Sequence, residues 1–120
     1  MKWIIEALTA FIAAEHLFFL VFEMFLWESL GKKIFRGALP SELFKPTRTL
    51  AANQGLYNGF LSAGLIWSLV ISDEKWSLYV GTFFLCCVSV AGIFGALTAS
   101  KKIFFVQALP ALITLVLLWI

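Results

Sequence analysis

Four apolar stretches, each about 20 residues long, run through most of this chain of 120 residues. Crossing the roughly 30 Å hydrocarbon layer of a bilayer takes about 20 helical residues, so each stretch has the length of a transmembrane helix. Hydrophobic residues make up 62% of the chain and charged residues 13%, whereas soluble domains average about 45–50% and about 25%. A soluble protein of this size needs more polar residues to cover its surface, so we expect lipid to be the solvent.

The stretches predict an all-α fold, an integral membrane bundle of four transmembrane helices in a single domain covering residues 1–120. Their approximate bounds are 3–27, 48–71, 77–99 and 103–120, with one long loop at 28–47. The other links are short enough to force antiparallel neighbours. A cleaved signal peptide is the competing interpretation of the N-terminus, but Glu6 interrupts the apolar region and its hydrophobicity continues to Trp27.

The basic residues predict the orientation of the bundle. Seven of them flank the first and third connections: Lys32, Lys33, Arg36, Lys45, Arg48, Lys101 and Lys102. Only Lys2 and Lys75 lie on the opposite side. By the positive-inside rule, the long loop is cytoplasmic and both termini lie on the non-cytoplasmic side.

Charge and motif content disfavour several classes of function. A net charge of +2, with the basic residues separated by apolar segments, does not predict a nucleic-acid partner. His16 is the only histidine, Cys86 and Cys87 are adjacent without a C-x-x-C motif, and no phosphate-binding loop or catalytic triad is present. A site built from one histidine and two glutamates is conceivable, but nothing in the spacing requires a metal. We therefore expect no metal and no cofactor.

The first apolar stretch carries an unusual load of ionisable residues. Glu15, His16 and Glu23 all fall inside it, and each costs several kcal/mol in a bilayer unless it faces protein or water. Thr9, His16 and Glu23 recur every seven positions and therefore share one helix face. This helix should face several neighbours, and Glu15 with His16 should serve activity more than folding.

A second polar cluster begins the second stretch with Asn53, Gln54, Tyr57 and Asn58. Counting inward from the cytoplasmic ends places Asn53 at the depth of Glu23 and Asn58 near the depth of Glu15. We therefore expect Glu23 to lie within hydrogen-bonding distance, directly or through one water, of Asn53, Gln54 or Tyr57. The alternative is that the amides merely tie helices together, with bonds worth about 0.6 kcal/mol each.

Together the two clusters predict a polar pocket open toward the cytoplasmic half of the bundle. The candidate ligand-binding residues are Glu15, His16, Glu23, Asn53, Gln54, Tyr57 and Asn58. Binding or transport of a small molecule is the leading interpretation, with a glutamate exchanging a proton against substrate. The alternatives are a membrane-embedded acid/base enzyme of isomerase type and a non-catalytic membrane partner protein.

Small residues recur at four-residue spacing in the second and third stretches. They are Gly55, Gly59 and Ala63, then Ala91, Gly95 and Ala99. Such ridges allow close helix packing and favour self-association, so a homodimer is one assembly that the chain allows. In the loop, apolar residues alternate with basic ones, which fits either a segment lying on anionic lipid or a solvated loop.

Two motifs resemble a known family. They are Glu15-His16-Leu17 followed by Glu23-Met24-Phe25 and Trp27, and the long run from Ala51 to Leu65 that contains Asn53-Gln54-Gly55-Leu56-Tyr57-Asn58-Gly59. The chain resembles, over essentially its whole length, the small bacterial membrane proteins catalogued as domain of unknown function 1304. The resemblance implies a multi-pass protein of the bacterial plasma membrane and implies no established activity.

Overall fold

The computed structural model describes all 120 residues, Met1–Ile120, and is entirely helical. Its elements in chain order are α1 (Lys2–Phe25), α2 (Leu30–Ile34), a 3-10 turn (Ser41–Leu43), α3 (Arg48–Val70), α4 (Glu74–Thr98), a π-helical turn (Phe104–Ala108) and α5 (Leu109–Trp119). The all-α prediction is confirmed.

Two of these helices, α1 and α4, are long and apolar enough to cross a membrane by length and composition. Helix α3 is 23 residues long, but its first half carries Arg48 and the amides Asn53, Gln54 and Asn58, which lower its mean hydropathy. The last segment, Phe104–Trp119, is apolar but shorter. The structure thus identifies two candidate spans where the sequence pattern predicted four.

The ends of α1 and α4 differ slightly from the predicted bounds, and in α4 a capping residue explains the difference. Helix α1 contains no glycine or proline and ends at Phe25, two residues before the predicted end at Trp27. Helix α4 begins at Glu74 because the Asp73 carboxylate accepts a hydrogen bond from the Trp76 N–H at 3.0 Å. This N-cap satisfies one of the unpaired N–H groups of the first helical turn. The helix therefore begins before residue 77, where the apolar stretch was predicted to start.

The last segment is divided by Pro110 instead of forming the single helix predicted over 103–120. The Leu109 N–H bonds to the carbonyl of Phe104, which closes a π-helical turn. Pro110 has no N–H to donate to Val106, so a regular α-helical turn cannot close at this point. The regular helix α5 starts immediately afterwards.

The chain divides into two compact units, of which the first consists of residues 1–14 and 61–120. Its core contains Ile12, Leu65, Leu85, Val88 and Ala111, all at most 1% exposed. These residues come from α1, α3, α4 and α5, so all four long segments contribute to one apolar core. A buried Ser62 hydroxyl donates to the Ala13 carbonyl at 2.7 Å and links α3 to α1.

Within this first unit, Gly92 marks the closest approach of α4 to the last segment. A Cβ added there would lie 2.6 Å from the Ala108 nitrogen, closer than real Cβ contacts come. The predicted ridge of Ala91, Gly95 and Ala99 is therefore partly wrong, because Ala91 and Ala99 are exposed. The contacts are made by Gly92 and Gly95, which lie three residues apart and face the same neighbour.

The second unit covers residues 15–60. Its loop is partly helical and closes over Phe44, which is 1% exposed. The Phe44 ring lies 5.1 Å from the Trp27 ring, and Gly31 is buried beside both. The Trp27 indole donates to the Thr47 hydroxyl at 2.9 Å, which joins the end of α1 to the start of α3.

Candidate functional site

All seven candidate residues lie in the second unit, where two glycines of α3 bring it close to α1. A Cβ added at Gly55 would lie 2.9 Å from Met24 Cγ and 3.1 Å from the Leu20 carbonyl oxygen. A Cβ at Gly59 would overlap the Leu20 side chain. Two of the three residues in the predicted ridge thus make the contact, whereas Ala63 is exposed.

The pair of α1 and α3 brings Glu23 and Asn58 together. The Asn58 amide donates to Glu23 Oε1 at 2.5 Å, and both side chains are half-buried. The direct partner of Glu23 is therefore Asn58, and Glu23 makes no direct hydrogen bond to Asn53, Gln54 or Tyr57. A contact between Glu23 and one of these residues through one water stays a prediction. Counting from the helix ends misjudged the register by about one turn, because the contacts of Gly55 and Gly59 with Leu20 set it instead.

Glu15 and His16 lie about two turns before Glu23 in α1. The Glu15 side chain is 13% exposed, and its Oε1 atom is buried without a hydrogen-bond partner. Its distance of 4.0 Å to His16 Nδ1 is too long for a hydrogen bond. His16 is completely buried, with its ring edge-to-face on Phe19 at 5.2 Å. An acceptor without a donor in a buried position is rare and calls for a physical explanation.

The remaining candidates are not gathered around Glu23. Asn53, Gln54 and Tyr57 are exposed, and none of them makes a side-chain hydrogen bond. The Tyr57 ring is 57% exposed and packs only loosely on Phe60, with ring centroids 6.0 Å apart. They form an open polar stripe on α3, and their role as ligand-binding residues stays a prediction.

Two clefts open at the loop end of this unit, and Glu15, Glu23 and Asn58 line neither of them. The smaller, of about 280 Å³, is bounded by Met24, Trp27, Glu28 and Arg48. Its charges are paired, since Arg48 Nη1 lies 3.5 Å from Glu28 Oε1. No three metal-binding side chains converge anywhere in the chain.

The larger cleft, of about 420 Å³, lies within the loop and is lined by three basic side chains. The sequence shows basic residues alternating with apolar ones here, but it does not indicate a cleft. The signals were Gly31, which is buried beside Phe44, and Gly37, which has a φ of 86°. Both allow the loop to fold tightly on itself.

Comparison with known proteins places the chain in an uncharacterised group. It is 27% identical over 110 residues to the uncharacterized protein YpaA of Lactococcus lactis subsp. lactis (strain IL1403), which covers 91% of each chain. No solved structure gives a significant match. Residues 10–119 match the family model described as "Protein of unknown function (DUF1304)", which includes both sequence motifs, so the chain belongs to the DUF1304 family.

Proposed function

We propose that the chain is a multi-pass membrane protein with four spans, which binds or transports a small molecule through the carboxyl groups of α1. The membrane part rests on the surface of the molecule, where exposed large apolar side chains outnumber buried ones. Phe11, Phe94 and Leu97 are 57%, 66% and 82% exposed. Apolar surface on this scale needs lipid or a partner to cover it.

The observation that carries the ligand-binding part is the unpartnered Oε1 atom of Glu15. Glu23, two turns away in the same helix, has a partner in Asn58, whereas Glu15 Oε1 has none. A purely structural carboxyl group in an apolar span would be expected to have a donor, because leaving it unpaired costs about 1–3 kcal/mol. We infer that the missing donor belongs to a ligand.

The chemistry of such a ligand follows from the acceptor. It carries an N–H or O–H donor, or a positive charge, and it reaches the buried Oε1 atom of Glu15 only when the side chains that cover this atom move aside. In a transporter, Glu15 would release a proton when substrate binds and regain it when substrate leaves. Buried His16 would act by holding the helix and Glu15 in place, since it has no exposed surface for a ligand.

The test compares three variants that each change one glutamate of α1 to glutamine. Glu15→Gln and Glu23→Gln alter the proposed site, whereas Glu6→Gln makes the same change at an exposed position of the same helix. Small molecules that co-purify with each protein in detergent are identified by mass spectrometry. We expect the wild type and Glu6→Gln to retain a compound that Glu15→Gln loses by at least about tenfold, or about 1.4 kcal/mol.

Proteoliposomes then separate the classes of function. Proton flux that depends on the identified compound supports transport, and chemical conversion of the compound without net transport supports a membrane-embedded acid/base enzyme instead. If Glu15→Gln retains the same compounds as Glu6→Gln, or if it unfolds while residual folded protein still binds, the site is structural and the proposal fails.

A second candidate, a non-catalytic membrane partner protein, draws on the exposed stripe of Asn53, Gln54 and Tyr57. Polar groups facing lipid without hydrogen bonds would be costly, and a second membrane chain can supply the bonds. Changing Asn53 and Gln54 to leucine should then convert a complex in native detergent extracts to a smaller species. An unchanged size would exclude this function for the stripe.

A further inference from the structure

The larger loop cleft combines positive charge with an apolar wall. Lys32 and Lys33 at the end of α2 and Arg36 just beyond it line one part, and Ser41 adds a hydroxyl group. Leu39, Pro40 and Phe44 supply the apolar part. The volume of about 420 Å³ is that of a site for a small molecule or a lipid headgroup.

The three charges of this cleft are not compensated by the protein. No acidic residue lines it, and Lys32, Lys33 and Arg36 take no part in any ion pair, unlike Lys2 and Arg48, which pair with Glu74 and Glu28. The positive-inside rule requires basic residues near the ends of spans, but it does not require that they converge on one cleft without an acid.

The residues beneath the cleft are held in place by tertiary contacts. Phe44 is buried against Trp27, and Trp27 is itself held by the hydrogen bond to Thr47. Gly37 has a φ of 86°, in the left-handed region that suits glycine, and it turns the chain between α2 and the 3-10 helix. The basic side chains are therefore carried on a folded loop instead of an open one.

From this geometry we propose that the cleft binds a phosphate-bearing ligand. Three cations match the multiple charge of a phosphate group, whereas a single carboxylate would leave more positive charge uncompensated. The Arg36 guanidinium suits phosphate because its parallel N–H groups fit two oxygens at once, and lysines add point charges. The apolar wall accepts the carbon skeleton next to the phosphate. The source is either an anionic lipid headgroup or a soluble phosphate compound, and this site is separate from Glu15 and Glu23.

Two binding assays on the full chain in neutral detergent distinguish the sources. In the soluble assay, inorganic phosphate is titrated against chloride at constant ionic strength, and binding is followed by thermophoresis. In the lipid assay, native mass spectrometry measures the fraction of protein that retains phosphatidic acid, with phosphatidylcholine as the zwitterionic control. Each assay uses the wild type, Lys33→Gln, Arg36→Gln and the matched control Lys45→Gln. Lys45 is an exposed basic residue of the same loop that does not line the cleft.

We expect Lys33→Gln and Arg36→Gln each to weaken binding about fivefold, which corresponds to about 1 kcal/mol. Lys45→Gln should change it less than twofold. Phosphate binding with this pattern assigns the site to a soluble compound, and retention of phosphatidic acid alone assigns it to a lipid headgroup. All three side chains are exposed, so equal melting temperatures should show that the variants fold. Absence of binding in both assays, or an equal loss in Lys45→Gln, overturns the proposal.

Discussion

The hydrogen bond between Asn58 and Glu23 joins α3 to α1 through one polar pair. Neutral bonds between membrane helices contribute about 0.6 kcal/mol on average, so this pair alone cannot hold α1 against α3. Its main effect is on specificity, because a register that separates Asn58 from Glu23 loses this bond to a half-buried carboxyl group.

Removing one member of this pair should cost more than removing both. We expect Asn58→Ala to lower the free energy of unfolding by about 1–3 kcal/mol, because Glu23 is left without its donor. The double variant Glu23→Leu with Asn58→Leu should recover most of this loss, since apolar replacements leave no polar group unpaired. Thermal unfolding in detergent measures both.

The matched control for this pair is Asn53→Ala. It removes the same amide from an exposed position of the same helix and should change the melting temperature little. An Asn53→Ala effect equal to that of Asn58→Ala would mean that the hydrogen bond to Glu23 contributes nothing specific.

At the scale of helices, glycines determine which faces meet. Gly55 and Gly59 set the register of α3 on α1, and Gly92 sets that of α4 on the last segment. In the membrane arrangement that we propose, helices gain little from the hydrophobic effect between them, so close backbone approach and packing would stabilise these pairs. The three glycine positions differ in whether the atoms that a new Cβ would meet can move aside.

Gly55→Ala should destabilise the protein more than Gly59→Ala. The new Cβ at position 55 meets the Leu20 carbonyl oxygen at 3.1 Å, and a backbone atom cannot move without shifting α1. At position 59 it meets only the end of the Leu20 side chain, which can change rotamer. Overpacking of this kind costs about 1–3 kcal/mol. Unfolding midpoints in detergent should be lower for Gly55→Ala than for Gly59→Ala. Ala63→Leu, at an exposed position of the same helix, is the control and should unfold close to wild type.

Gly92→Ala should be at least as disruptive as Gly55→Ala, because both the backbone and the Cβ of Ala108 lie within 3 Å of the added methyl group. Ala91→Val adds two methyl groups one position earlier, where the side chain is exposed, and serves as its control. Comparable melting temperatures for the two variants would show that α4 does not pack on Ala108 in this way.

For the whole molecule, the length and apolar character of the sequence were enough to predict the bounds of the four long segments within about three residues, but not the two short helices within the loop. The Asp73 cap was readable from its residue type, since aspartate before a helix is a common N-cap. The partner of Glu23 could not be predicted by counting residues inward from the helix ends. The register of α1 on α3 depends on how Leu20 and Met24 pack against Gly55 and Gly59. The loop cleft depends on Phe44 folding back onto Trp27, a contact between residues 17 positions apart that no periodicity reveals.

Within the first unit, the ends of the segments agree with a membrane arrangement. Lys2 Nζ lies 3.9 Å from Glu74 Oε1, so the N-terminus and the link between α3 and α4 lie at one end of this unit. Trp67, Trp76 and Trp119 are 56%, 61% and 57% exposed. Exposed tryptophans near helix ends are typical of the interface between lipid and water.

The orientation of the protein is the remaining prediction, and it follows from seven basic residues on one side against two on the other. We expect Lys33 to face the cytoplasm and Lys75 the opposite side. Single cysteines at these positions, in a background with Cys86 and Cys87 changed to serine, can be labelled in intact cells by a reagent that does not cross membranes. Lys75→Cys should be labelled in intact cells, and Lys33→Cys only after the cells are opened. The native cysteines must be replaced because both are free thiols. Labelling of Lys33→Cys alone in intact cells would reverse the orientation. Equal labelling of both would place them on the same side, so the chain between them, which contains α3, would cross the membrane an even number of times or not at all.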